Sequence, residues 1–365
     1  MAKSLEAVPL TRNTISRFRQ CLLRWYEREG RDLPWRRTSD PYRIWVSEIM
    51  LQQTQVSKVK GYYDRFIAVF PTVETLADSP LSKVLKMWEG LGYYSRARNL
   101  HQAAALIVNG DHGQFPRTME TFSALPGVGP YTAGAVMSIA FDQSYPVVDG
   151  NVRRVLSRVF GIRGSSRERK TQHALREVAA GLLPHRRPGI FNQALMELGA
   201  LVCRPASPSC SDCCLRPLCF AQTLSDPAIL PTRLKRSPTP HFDVTAGVIR
   251  KGSTILLAQR YPQGLLGGLW EFPGGKRERG ETIEECLHRE IREELGIDIV
   301  IEEPIGSVNH AYTHFRFTLH GFRCRYAAGK VRALGCADWR WIHPSRISEF
   351  ALPAADRKLL QMWHR

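Results

Sequence analysis

The spacing of apolar residues divides the chain into two parts. From Thr11 to about Leu224 apolar positions recur every three or four residues, which is typical of amphipathic helices, and Pro, Gly or Asp stands at the breaks. The helices predicted from this pattern are Ile15–Glu29, Pro41–Gln55, Ser57–Phe70, Leu81–Glu89, Arg96–Asn109, Met119–Leu125, Pro130–Phe141, Asn151–Gly161, Gln172–Leu183 and Asn192–Cys203.

A strand-like period of two residues begins after Phe242. The second part is predicted to contain mixed strands and two helices, Thr282–Leu295 and Asp356–Trp363. The predicted strands are Val244–Arg250, Thr254–Gln259, Ile299–Gly306, His314–Phe322 and Trp339–Ile342, with Trp270–Gly275 leading into the first helix.

These patterns predict a multidomain protein. An all-α domain over residues 1–231 is followed by a basic, Pro-rich linker over 232–240, which we expect to be extended. An α+β domain over 241–365 completes the chain.

The net charge of the 365 residues limits the classes of partner that are expected. A formal net charge of +17 indicates a polyanionic partner, and nucleic acid and an acidic membrane surface both fit. No apolar run approaches the ~18 residues that a membrane span needs. Met1–Arg19 also lacks the apolar stretch of a signal peptide, so we expect a cytoplasmic protein.

Five of the nine cysteines crowd into one Pro-rich segment. Cys203, Cys210, Cys213 and Cys219 are separated by six, two and five residues, and Cys214 lies beside them. This crowding predicts a reducing compartment and one metal site rather than a disulfide framework. Four thiolates suit either tetrahedral zinc or an iron–sulfur cluster, and a group of unliganded cysteines is the remaining alternative.

One carboxylate stands in an apolar stripe of the helix predicted after Asp40. Ile44, Glu48 and Leu51 are at positions i, i+4 and i+7 and therefore share a helix face. Glu48 is either an ion-paired core residue or a desolvated acid whose pKa is raised toward the range of a general acid. The polar residues after it are unusual for a buried helix.

Two further features carry chemistry. Gly127 and Gly129 stand in Leu125–Ala133, between two predicted helices, where free backbone N–H groups can bind a phosphodiester. Asp149 precedes the next predicted helix and is suited to cap it. The same carboxylate can also face a developing cation.

Taken together, these motifs resemble the adenine DNA glycosylases of the MutY family, within the helix-hairpin-helix superfamily of endonuclease III. The resemblance covers nearly all of residues 11–224, and the spacing of the cysteines resembles the [4Fe–4S] loop of that superfamily. Bifunctional members carry a lysine after the hairpin where this chain has Tyr131, which implies a monofunctional enzyme. The matching segments are Arg31–Arg36, Trp45–Thr54, Trp88–Tyr94, Leu125–Ala133, Asp149 and Phe191–Ala194.

The resemblance implies a reaction and a substrate. Adenine opposite 8-oxoguanine or guanine in double-stranded DNA would be flipped into a pocket and removed in base-excision repair. Glu48 would protonate the base at N7, and Asp149 would remain ionised and stabilise the oxocarbenium sugar. A monomer carrying a [4Fe–4S] cluster on Cys203, Cys210, Cys213 and Cys219, associated with the nucleoid when bound to DNA, is implied as well.

The resemblance also implies which residues contact the substrate. Tyr93 would wedge into the opposite strand, although a core aromatic is an equal alternative for this residue. The implied adenine pocket consists of Arg31, Trp35, Arg36, Tyr131 and Gln193, and the implied DNA contacts are Leu51, Gln53, Thr54, Tyr93, Gly127 and Gly129.

A complete Nudix box runs from Gly275 to Ile297. Its Glu290, Glu293 and Glu294 share one helix face and could hold Mg²⁺ against a diphosphate. The alternative is an exposed charged helix in which Arg289 pairs with Glu285 and Glu293.

In adenine DNA glycosylases the corresponding domain recognises 8-oxoguanine. Tyr312, Thr313 and His314 resemble its reading loop. Because the box is intact here, additional hydrolysis of oxidised nucleoside triphosphates is the alternative activity of this domain.

Two competing classes remain on the sequence alone. One is a nucleotide hydrolase tethered to DNA by an inactive helical domain, and the other is a non-enzymatic DNA-binding module with a redox cluster. The presence of both Glu48 and Asp149 argues against each of them.

Overall fold

The structure is a computed structural model that describes residues 9–110, 113–165, 168–232, 238–312 and 314–363. The chain forms two compact units. The first comprises Met1–Glu74 and Ala103–Arg236, and the second comprises Thr75–Gln102 and Ser237–Arg365. Among the described residues, no helix is long and apolar enough to cross a membrane.

Helices dominate the chain up to Leu201, as the apolar spacing predicts. Short 3₁₀ turns replace longer helices in the Pro-rich cysteine segment. The helices are α1 Arg12–Glu29, α2 Pro41–Leu51, α3 Val56–Val69, α4 Val73–Ala77, α5 Leu81–Met87, α6 Ser95–Asn109, α7 Met119–Ser123, α8 Pro130–Phe141, α9 Gly150–Phe160, α10 Arg169–Leu182 and α11 Pro188–Leu201.

The main core of the first unit lies between α1, α9, α10 and α11. Phe18 of α1 packs against Phe160 of α9 and Phe191 of α11, with ring centroids 5.9 and 6.2 Å apart. The cysteine segment packs against the same core. This packing places the start of α9 next to α11.

Helix α2 ends at Leu51, earlier than the predicted Gln55, so that prediction was wrong. The chain turns at this point, and Thr54 N donates to the Leu51 carbonyl at 3.2 Å. Gln53 adopts a left-handed conformation with φ of 55°, which a helix cannot contain. The polar residues 52–55 therefore form a turn, in which Gln53 and Gln55 are exposed, instead of a fourth helical turn.

The second unit contains a mixed sheet, which confirms the predicted α+β class. The strand order is β3-β2-β1-β5-β4, with β6 paired to β2, and β1 runs parallel to β5. The elements are β1 His241–Lys251, β2 Thr254–Gln259, β3 Trp270–Glu271, α12 Ile283–Leu295, β4 Ile297–Ala311, β5 Arg316–Gly329, β6 Asp338–Ile342 and α13 Ala354–Trp363.

Side chains alternate along a strand, so the sheet has two apolar faces. A different helix packs on each face. In β2, Ile255 and Leu257 pack in the core that also contains α13 residues. Leu256 packs on the opposite face, where α12 contributes Leu287 and Ile291. Strands β4 and β5 are longer than predicted and continue as a paired ribbon with bulges.

Thr75–Gln102, which the sequence pattern assigns to the helical part, packs with the second unit. Lys86 Nζ donates to the Phe350 carbonyl at 2.9 Å. Glu89 Oε1 accepts from Leu352 N at 2.9 Å. These contacts join residues far apart in sequence, which a local pattern does not reveal.

Candidate active site

Glu48 is buried in the middle of α2, with 4% of its surface exposed. The helix begins at Pro41, where the Asp40 side chain accepts from Tyr42 N at 2.9 Å and caps the free N–H groups. Burial raises the pKa of Glu48 to about 7, while a hydrogen bond from Tyr131 opposes the rise. At neutral pH a large fraction of Glu48 is therefore protonated.

Tyr131 stands at the second position of α8, directly after the hairpin glycines. Its hydroxyl donates to Glu48 Oε2 at 2.8 Å. Burial and the neighbouring carboxylates raise the pKa of Tyr131 well above its ordinary value. The phenol thus stays neutral and acts as a fixed hydrogen-bond donor to Glu48.

Asp149 is the N-cap of α9, as the cap reading predicts. Its Oδ1 accepts from Val152 N at 2.6 Å and its Oδ2 accepts from Asn151 Nδ2 at 3.0 Å. Burial raises the pKa of Asp149, and these hydrogen bonds together with the charge of Arg154 oppose the rise. The two carboxyls thus have unlike surroundings, with donors converging mainly on Asp149.

One cavity of about 150 Å³ brings the two carboxyls together. Glu48 and Asp149 both line it. All five residues of the implied adenine pocket line it as well, as do two of the implied DNA contacts: Arg31, Trp35, Arg36, Tyr131, Gln193, Leu51 and Thr54.

Glu197 also lines this cavity and was missed by the sequence reasoning. Its side chain is 1% exposed and accepts from Arg31 Nε and Nη2, both at 2.7 Å, and from Arg36 Nη2 at 2.8 Å. Burial alone would raise the pKa of Glu197, but these hydrogen bonds lower it to about 2. The signal was present in the sequence, because Glu197 stands between Leu195 and Leu198 on an apolar helix, as Glu48 does on α2.

A buried arginine, also missed, connects the cysteine segment to Asp149. Arg154 is 8% exposed, and its Nε donates to the Cys203 carbonyl at 2.6 Å. Its Nη2 donates to Asn151 Oδ1 at 2.8 Å and to the Gly199 carbonyl at 2.7 Å. Since Asn151 donates to Asp149, a continuous series of hydrogen bonds orients the second carboxylate.

The hairpin glycines keep a surface open. Gly127 has a φ of 75°, which favours glycine, and both it and Gly129 are exposed. Open space surrounds the position that a Cβ of Gly129 would take. A ligand can therefore approach the backbone at the start of α8.

Two of the implied DNA contacts, Gln53 and Tyr93, are exposed and adopt left-handed backbone conformations. Gln53 has a φ of 55° and Tyr93 a φ of 48°. Tyr93 is 43% exposed, so the alternative that it is a core aromatic is wrong. The Arg96 guanidinium lies over its ring, 5.6 Å from the centroid. Tyr93 belongs to the second unit and Gln53 to the first.

The four spaced cysteines line one cavity next to Arg158. Arg158 is 1% exposed, and its Nη1 lies 3.3 Å from Cys203 Sγ. Burial raises the pKa of Cys213 to about 12 and that of Cys219 to about 11. In the described part of the chain, no three Cys, His, Asp or Glu side chains are arranged to hold a metal ion.

The cysteine cavity nevertheless has the chemistry that an iron–sulfur cluster needs. Four thiol groups of one segment line the cavity, and Arg158 brings a positive charge against Cys203. A negatively charged thiolate-bound cluster would balance that charge. The donor set therefore fits the group.

The carboxylates of the Nudix box are largely engaged by Arg289. Glu290 and Glu293 lie 3.0 and 3.1 Å from it, so the predicted Arg289–Glu293 pair is present. Glu285 instead closes a capping box with Thr282. Burial raises the pKa of Glu294 to about 8.

Glu294 and Tyr312 line a cavity of about 380 Å³ in the second unit. Tyr312 stacks on Phe317 with ring centroids 5.7 Å apart, and His314 is exposed. Thr313, the middle residue of the implied reading loop, lies outside the described residues. The loop follows β4, which positions its aromatic residue on the sheet.

Comparison with known proteins accounts for both units. Residues 46–180 match the HhH-GPD superfamily of base-excision DNA repair proteins, and residues 245–362 match the NUDIX domain. A solved thermostable thymine-DNA glycosylase is 34% identical, with a TM-score of 0.54, and is covered completely by 59% of this chain.

Two curated relatives match nearly the whole chain. An adenine DNA glycosylase of Mus musculus is 36% identical over 96% of this chain and 78% of its own length. That of Homo sapiens is 36% identical over 96% of this chain and 74% of its own length. The chain therefore belongs to the adenine DNA glycosylase family, with a helix-hairpin-helix repair domain followed by a Nudix-like domain.

Proposed function

We propose that this chain is a monofunctional glycosylase that hydrolyses the N-glycosidic bond of adenine paired with 8-oxoguanine or guanine. The observation that carries the proposal is the pair of unlike carboxyls, Glu48 and Asp149, in one cavity. A protonated acid and a hydrogen-bonded carboxylate are the two groups that this reaction needs.

The reaction begins with proton transfer from Glu48. Adenine is a poor leaving group as an anion, and protonation at N7 lets it depart neutral. Asp149 stabilises the positive charge that develops on the sugar, and its donors Asn151 and Val152 N hold the carboxylate in place. After the base has left, Glu48 is a carboxylate and can help activate the attacking water.

The absence of a Schiff-base step follows from the residue after the hairpin. That position is Tyr131, and no lysine is among the described residues that line the cavity. A Schiff base with the opened sugar requires an amine, so the abasic strand stays intact.

Base selection is assigned to the polar wall of the pocket. Arg31, Arg36 and Glu197 form a fixed ion-paired set, and Gln193 offers an amide beside it. Such preoriented donors and acceptors match the edge of a flipped purine. Trp35 provides the apolar surface of the pocket.

Contacts with the opposite strand are assigned to Tyr93 and to the turn that follows α2. Tyr93 wedges between bases, and Leu51, Gln53 and Thr54 meet the purine left unpaired. Gly127 and Gly129 approach a phosphodiester with the free N–H groups of α8. Tyr312, Thr313 and His314 read 8-oxoguanine from the second domain.

Cys203, Cys210, Cys213 and Cys219 would hold a [4Fe–4S] cluster. When bound, the cluster would cross-link the Pro-rich segment through four Fe–S bonds. Arg158 also binds this segment independently of a cluster, since it donates to the Arg204 carbonyl at 2.7 Å. The segment in turn orients Asp149 through Arg154.

The products test the proposal. Enzyme is incubated with a duplex that contains one adenine opposite 8-oxoguanine, and the strand is analysed before and after alkali. We expect free adenine and an abasic strand that is cleaved only after alkali. Cleavage without alkali would contradict the monofunctional assignment, and an intact adenine would contradict the activity.

A further inference from the structure

A second, larger cavity lies beside the base pocket in the first unit. It has a volume of about 500 Å³, against about 150 Å³ for the base pocket. Arg31, Arg36, Ile139 and Gln193 line both cavities. These four side chains therefore form the partition between the base pocket and this outer cleft.

The partition is fixed at one end and weakly held at the other. Arg31 and Arg36 are bound to the buried Glu197 at 2.7 and 2.8 Å. Gln193 is neutral, and its Oε1 accepts from the Tyr26 hydroxyl at 3.0 Å. Because a neutral hydrogen bond is about half as strong as a charge-assisted one, Gln193 is held less tightly than Arg31 and Arg36 and moves at a lower cost than they do.

The outer cleft offers surfaces on which a purine can stack. The Arg36 guanidinium lies over the Tyr26 ring, 5.3 Å from the centroid. Arg37 and Arg187 add further guanidinium planes, and Thr38 adds a hydroxyl at the rim. Planar guanidinium and aromatic groups bind nucleobases with little demand on base identity.

The reaction creates a need for such a cleft. The flipped nucleotide enters the base pocket with its sugar and phosphates at the mouth. When the glycosidic bond breaks, the strand still occupies the mouth and the free base lies between the strand and the partition. Release of product is a separate step that a second opening can provide.

We propose that the outer cleft is a transit site for the free base. On this proposal, which rests on the proposed glycosylase function, adenine passes Gln193 into the cleft and reaches solvent while the abasic strand remains bound. The chemical step is unaffected by the cleft, and the rate at which adenine leaves depends on it.

Two variants block the cleft without touching the base pocket. Thr38 and Ile190 line the outer cleft and not the base pocket, so Thr38→Trp and Ile190→Trp fill it from two sides. Ile229→Trp is the matched control, because Ile229 is 56% exposed in the same unit and lines neither cavity. Retained excision demonstrates that each variant is folded.

The test separates bond cleavage from release. Excess enzyme is mixed with an 8-oxoguanine:adenine duplex labelled with tritium in the adenine. Abasic strand is quantified after alkali, and free adenine is quantified by rapid ultrafiltration. We expect both blocking variants to form abasic strand at the wild-type rate and to release adenine about tenfold more slowly, unlike Ile229→Trp.

Wild-type release in both blocking variants, with normal abasic strand, would overturn the transit site alone. Absence of abasic strand with the wild-type enzyme would instead overturn the proposed function. A second experiment measures passage of a free base without bond cleavage. The enzyme is first bound to a duplex that contains a tetrahydrofuran abasic analogue, and the rate at which free 2-aminopurine enters this complex is then measured. Entry should be slowed about tenfold by the blocking variants, and equal entry rates would also overturn the proposal.

Discussion

At the scale of single residues, function depends on the pKa values of two buried glutamates, which their hydrogen-bond partners make very different. Glu48 accepts a hydrogen bond from the Tyr131 hydroxyl, and burial raises its pKa to about 7. Glu197 is equally buried but binds two arginines, and its pKa is about 2. One is poised to give up a proton near neutral pH, and the other is a permanent anion.

The contact between Tyr131 and Glu48 predicts a change in the pH dependence. Glu48 must be protonated to act, so single-turnover excision should fall as pH rises through about 7. The Tyr131 hydrogen bond favours the carboxylate, so Tyr131→Phe should raise the pKa of Glu48 and move the fall to higher pH. Tyr145→Phe, outside the cavity, is the control, and a shift to lower pH would refute this role.

The ion pairs of Glu197 predict a loss of stability. Glu197→Ala leaves Arg31 and Arg36 without their buried anion, which should lower the free energy of unfolding by ~3 kcal/mol. Urea unfolding measures the change. Glu29→Ala, at the exposed end of α1, should differ from wild type by no more than ~0.5 kcal/mol. Equal effects of the two variants would show that the pairs do not stabilise the fold.

At the scale of helices and strands, two residues of the site stand where helices begin, whereas Glu48 lies inside α2. Asp149 caps α9, and Tyr131 opens α8. The sequence predicted both positions, because a cap residue before an apolar period is a local signal. It did not predict where α2 ends, since the left-handed turn at Gln53 involves a residue with no intrinsic preference for that conformation.

Two substitutions of Asp149 distinguish its role as the cap of α9 from its role in catalysis. Asparagine caps helices about as well as aspartate, so Asp149→Asn should keep the melting temperature while excision is lost. Asp149→Ala should lose excision and also ~1 kcal/mol of stability. Thermal unfolding and single-turnover assays on both variants provide the comparison. Normal excision by Asp149→Asn would show that Asp149 only caps the helix and has no role in catalysis.

Helix α12 lies within the Nudix box, and Arg289 of this helix pairs with Glu281, Glu290 and Glu293. Because Glu290 and Glu293 are ion-paired to Arg289, we expect no nucleotide hydrolysis. Pyrophosphate release from 8-oxo-dGTP with Mg²⁺ should equal a metal-free control. Release that depends on Mg²⁺ and disappears in Glu294→Gln would establish the alternative activity.

At the scale of the whole molecule, the sequence predicted the two fold classes, and the structure confirms them. It did not predict that Thr75–Gln102 packs with the second unit, or that Glu197 meets Arg31 across 166 residues. Apolar period and capping are local, whereas these contacts depend on the packing of distant segments. The net charge of +17 agrees with a DNA partner and steep salt dependence, but does not identify the reaction.

The most direct test of the central claim is single-turnover excision of adenine by Glu48→Gln. Glutamine keeps the size of the side chain and its acceptor for Tyr131 but has no proton to transfer. We expect mismatched duplex to bind normally and excision to fall by ~10²–10⁴. Glu27→Gln on the exposed side of α1 should act as wild type. Near-normal excision by Glu48→Gln would contradict the assignment of Glu48 as the general acid.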